Sequence, residues 1–137
     1  MSCVLRASGE HFDVDAFLID CNLDPLSIWR RGEKRSQDAK PNKTSGIRFE
    51  VSTAEFSNLA AQVKDALNFL QLHRGWVAKL VAFPGVEGVT ADFGVETTPP
   101  HWASFTFAPS LLAALAAAGI SLELSTHPSV EEEGRNA

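Results

Sequence analysis

A chain of 137 residues, 45% hydrophobic and 21% charged, has the size and make-up of one globular domain that buries a real core. Seventeen acidic residues against twelve basic ones give a net charge of −5, which argues against a protein whose whole surface grips nucleic acid. Two cysteines, Cys3 and Cys21, form no CxxC and no disulfide framework, and their apolar surroundings read as reduced, buried thiols.

In chain order, residues 2–7 (SCVLRA) alternate as a strand with Cys3, Leu5 and Ala7 on one face. Asp13 is placed to cap a short helix over 14–21, with Ala16, Phe17 and Ile19 or Cys21 as its apolar face, and Pro25 follows its end. LSIWRR (26–31) reads as a second strand. A basic loop follows, closed by turn residues Asp38, Pro41, Asn42 and Ser45-Gly46. IRFEV (47–51) alternates strictly, with Ile47, Phe49 and Val51 inward. Ser52 and Glu55 match a capping box, predicting a helix that carries Phe56, Leu59, Ala60, Val63, Leu67 and Leu70 on one stripe. A shorter helix from Arg74 is predicted to stop at Pro84-Gly85.

The last third begins with a strand bearing Val89, Ala91, Phe93 and Val95 on one face. WASFTF (102–107) reads as another, with Ala103, Phe105 and Phe107 facing the core and Trp102 on the opposite face. Pro109 opens a helix over 109–118 that Gly119 ends, and Ile120, Leu122 and Leu124 mark a closing strand. Residues 1–127 form one domain in this reading, and 128–137 an acidic flexible tail. The order predicts an α+β two-layer sandwich: a mostly antiparallel sheet of about five to six strands with two to four helices on one face. No signal-peptide core precedes Arg6, and the longest apolar run is the ten residues 111–120, too short to span a bilayer. A cytoplasmic protein is expected.

Little in the chain points to catalysis. His11, His73, His101 and His127 show no metal-ligand spacing, and no P-loop, GxSxG or post-strand GxGxxG occurs. Asp13, Asp15, Asp20 and Asp24 read as a cap and a solvated face, with a cleft enzyme or ligand binder using them, or His11 and His101, as the alternative. No catalytic residue, metal or cofactor is assigned. The conspicuous feature is the loop 30–43. It holds six of the twelve basic residues against two acidic ones, leaving −9 for the rest of the chain. A solvated connection is the plainer reading of those charges. The functional reading is an anion-facing surface, with Trp29, Arg30, Arg31, Lys34, Arg35 and Trp102 as the candidate partner contacts. Trp29 alone offers a stacking aromatic there, so RNA or other nucleic acid ranks behind a protein partner.

LDPLSIWRRGE (23–33) resembles the signature of a bacterial family, the domain-of-unknown-function 4279 family, at Leu23, Pro25, Trp29, Gly32 and Glu33. The strand–helix–strand of 105–125 is similar to that family's C-terminal half. One departure is Gly46-Ile47, where the family often has Gly-Trp, so no contact role of that aromatic carries over. The resemblance implies the α+β fold and no established activity. It also implies likeness to small bacterial α+β proteins, some of them immunity proteins. The expectation is therefore a non-enzymatic protein-binding module, with an immunity or antitoxin-like occlusion of a cognate toxin as its sharpest form.

Overall fold

In the computed structural model, which describes residues 1–100 and 102–129, β1 (Cys3–Gly9) is the central strand of a five-stranded sheet. It pairs antiparallel with β3 (Ser45–Ser52) on one side and with β4 (Gly88–Thr97) on the other. β2 (Ser27–Trp29) closes the β3 edge, antiparallel. β5 (Ser121–Pro128) lies parallel to β4 at the far edge. A parallel neighbour needs a crossover, and α4 (Pro109–Ala118) supplies it. Gly119 ends α4 at φ 74°, the left-handed conformation a C-terminal stop uses.

Alternation puts Cys3, Leu5, Ala7, Ile47, Phe49, Val89, Ala91, Phe93 and Val95 on the buried face of the sheet. Against it pack Val14 and Phe17 of α1 (Val14–Leu18), Ala66 of α2 (Leu59–Leu72), Val77 and Leu80 of α3 (Arg74–Val81), and Leu111 and Leu115 of α4. Edge-to-face rings tie the layers together: Phe49 of β3 lies 4.6 Å from Trp76 of α3, and Phe17 of α1 lies 5.2 Å from Phe83, just past α3. Each such pair adds about 0.5–1.5 kcal/mol beyond its buried area. The outer face is polar. There Arg6 pairs with Asp92 and Glu123, and Ser125 donates to Asp92 at 2.7 Å. The fold is thus the expected α+β sandwich, with five strands and four helices among the described residues. No helix among the described residues is long and apolar enough to cross a membrane.

Four local expectations change. First, residues 102–108 form no strand. Phe107 reaches the core as a side chain, 5.6 Å from Phe93, without backbone pairing. Second, the Ser52–Glu55 capping box is absent. A β-bulge at Val51, where the register steps between Cys3 and Val4, keeps Ser52 in the strand. Its Oγ donates to Asp65 at 2.6 Å and accepts from Ala54 N–H. Asn58 caps α2 instead, accepting from Ala61 N–H at 3.1 Å, and Phe56 falls outside the helix against Gly94. Third, α1 stops at Leu18 and buries Val14 and Phe17, leaving Ala16 exposed and Ile19 80% exposed. Fourth, Cys21 is half-buried, its thiol donating to Leu23 O at 3.2 Å. β5 runs through Pro128, and Ser129 N–H still bonds Thr97 O. The tail expected over 128–137 therefore begins no earlier than residue 130, and 130–137 lie outside the described residues, as does His101.

Candidate functional site

The basic loop joins β2 to β3. Because these strands are antiparallel neighbours, its two ends are held side by side. Its backbone has its own frame. Gly32 N–H bonds Asn42 O at 2.9 Å, Asn42 N–H bonds Glu33 O at 2.8 Å, and Arg31 N–H donates to Ser45 Oγ at 2.9 Å. Asn42 Nδ2 also donates to Arg30 O at 3.0 Å. These bonds frame the root of the loop, and within its tip Ala39 N–H bonds Ser36 O at 3.2 Å.

The six cations divide into two sets. At the root, Arg30 makes a two-pronged contact with Asp15 of α1, Nη2 to Oδ1 at 2.8 Å and Nε to Oδ2 at 3.1 Å. Arg31 pairs with Glu10 at 3.3 Å. The Arg30 hydrogen bond holds the Asp15 carboxyl below its ordinary value, and Asp15 in turn raises Arg30. Both pairs are exposed, so their strength lies in the paired geometry rather than in burial. Lys34, Arg35 and Lys40 toward the tip, and Lys43 between Asn42 and Thr44, are exposed and have no ion partner among the described residues. The sequence-predicted contacts Arg30 and Arg31 are therefore anchors. Lys34 and Arg35 remain as free cations, joined by Lys40 and Lys43.

Trp29 is a sheet residue on the outer face. Its ring covers Gly46, its Nε1–H donates to Thr44 Oγ1 at 3.3 Å, and the Arg48 guanidinium lies 5.9 Å from the ring centre. It braces the loop's root. Gly46 thus has a reason independent of the residue after it, and Ile47 is simply core.

Trp102 is 90% exposed. It follows the Thr97 end of β4, whereas the loop adjoins the Gly88 end, where Gly88, Ser8 and Gly46 stand in register. Nine residue steps at about 3.3 Å each put roughly 30 Å between those ends. The structure does not bring Trp102 together with the basic cluster.

The acidic run does not converge either. Asp13 caps α1 through Ala16 N–H, Asp15 binds Arg30, and Asp20 faces Lys79 at 3.6 Å. Among the described residues no three metal-ligating groups gather. Sequence reasoning missed Glu10 and Asp15 as loop anchors. No signal could have found them, since they lie on a different element from their arginines.

The chain belongs to the family described as "Domain of unknown function (DUF4279)", whose family model matches residues 1–129. No curated protein and no solved structure matches the chain.

Proposed function

We propose that the chain is a non-enzymatic protein-binding module that presents the tip of the β2–β3 loop to an acidic surface of another protein. The observation that carries this reading is the division of the loop's charges. Two arginines are spent on holding its root, while Lys34, Arg35, Lys40 and Lys43 have no ion partner among the described residues and extend from that framed root. A loop held at its root loses less entropy on docking than a free one, and a net-positive segment, four cations against Asp38, steers association and selects partners. Trp102, at the other end of the sheet, has no part in this contact. RNA is the weaker reading, because Trp29, the aromatic that would stack a base, is committed to Gly46 and Arg48. The finer proposal is that the partner is a bacterial toxin neutralised by occlusion. It rests on fold-level analogy alone, the family's likeness to small bacterial α+β proteins of which some are immunity proteins.

The test is an affinity pull-down of the tagged protein from its native cells at low and high salt, repeated with Lys34→Glu/Arg35→Glu. The expected result is a stoichiometric protein that high salt releases and charge reversal loses. Co-expression should then relieve that protein's toxicity. A partner held equally by the reversed variant, RNA alone, or an empty bait would each overturn the reading.

A further inference from the structure

Helix α4 breaks the usual pattern of a surface helix. PSLLAALAAA carries no charged residue, yet only Leu111 and Leu115 are buried. Leu112 is 48% exposed, and Ala113, Ala116 and Ala117 also face solvent. A helix apolar on all sides normally has both faces covered. Beside α4 lies a groove of about 600 Å³ formed with α2 and α3. Leu67, Leu70, Val77 and Val81 line it, and alanines at 78, 114, 117 and 118 leave open the space larger side chains would close. Its volume is that of small-molecule sites, about 300–1,000 Å³.

The groove's polar lining is Gln71 and Arg74, both exposed. Arg74 is the first residue of α3. That turn holds no acidic residue, and because α2 ends one residue before it the two helix ends offset, so the positive charge at the groove is the guanidinium's own. Arg74 has no ion partner among the described residues. A long apolar trough with one unneutralised cation matches a particular chemistry. A second copy of the chain fits less well: a helix of ten residues spans about 15 Å, a narrow patch beside the roughly 800 Å² per partner of a stable interface.

We infer that this groove binds a single-chain amphiphile with an anionic head. The hydrocarbon chain lies along the Leu67–Leu70 and Val77–Val81 walls, and the carboxylate meets Arg74 and the Gln71 amide. The site is independent of the basic loop and stands whether or not the loop binds a protein.

Calorimetry with monomeric decanoate, and with decanol as the uncharged counterpart, tests it. The wild-type chain should bind decanoate saturably, one per chain. Arg74→Gln should weaken decanoate about tenfold or more and leave decanol unchanged. Ala117→Leu, at an exposed position that leaves the core intact, should abolish binding of both. Circular dichroism confirms that each variant is folded, and the wild-type titration alone decides the matter if one is not. Absence of saturable decanoate binding, equal weakening of both ligands by Arg74→Gln, or indifference to Ala117→Leu would overturn the assignment. So would a sedimentation dimer that Ala117→Glu dissolves, which would give the groove to a second copy.

Discussion

A methyl group at Gly46 would lie 2.0 Å from the Trp29 ring, so the ring and the glycine occupy one another's space by design of the sequence. Gly46→Ala should lift the indole, break its bond to Thr44 and its stacking under Arg48, and cost roughly 1–3 kcal/mol in urea denaturation. The same change at exposed Gly75, with open space around it, should show no such loss. Cys3 offers a second residue-level test. Burial pushes its thiol up to about 12 from 9.0, and Asp92 and Asp65 add to the rise. Between those values the unfolded chain has lost the proton and the folded chain keeps it. Stability therefore falls as pH rises from about 9 toward 12, by at most about 1.4 kcal/mol per unit. Denaturation of wild type and Cys3→Ala at pH 8 and 10 should show the wild type losing more. Equal losses would contradict it.

At the scale of elements, the start of α2 separates two readings of the same residues. With Asn58 as the cap, Asn58→Ala should cost about 1 kcal/mol, while Glu55→Ala should be close to neutral. A capping box would reverse that order. Strands β1, β3 and β4 were legible because period-2 alternation and one-sided burial are the same fact seen twice: Leu5, Phe49 and Phe93 face inward in both. The capping box misled because Ser52 has two competing partners, and the bulge at Val51 settles the choice in favour of Asp65. WASFTF misled for a related reason. Its Phe spacing expresses core contact, which a side chain such as Phe107 can make without a ladder.

Across the whole molecule, pairing between distant segments is what the sequence leaves unwritten. The parallel register of β5 on β4 and the reach of Glu10 and Asp15 to the loop arginines are set by the assembled sheet and helices. The cations of the candidate site were readable in a row, but their division into anchors and free tip was not. The α2–α4 groove was hidden as well, since alanines announce a helix and not the gap they leave.

The three tryptophans also sample three depths of the structure. Trp76 is wedged among Phe17, Phe49 and Phe69, Trp29 lies half-covered at the loop root, and Trp102 stands in solvent. The molecule thus carries its own set of optical reporters. Acrylamide should quench one fraction of the native emission, the red-shifted Trp102 component, far faster than the rest, and Trp102→Phe should remove that fraction. Iodide, drawn to Lys43 and its neighbours, should reach Trp29 more effectively than neutral acrylamide does. A ligand that reaches the loop's root would shield Trp29 and leave Trp102 untouched, so one spectrum can say at which end of the sheet a partner has landed.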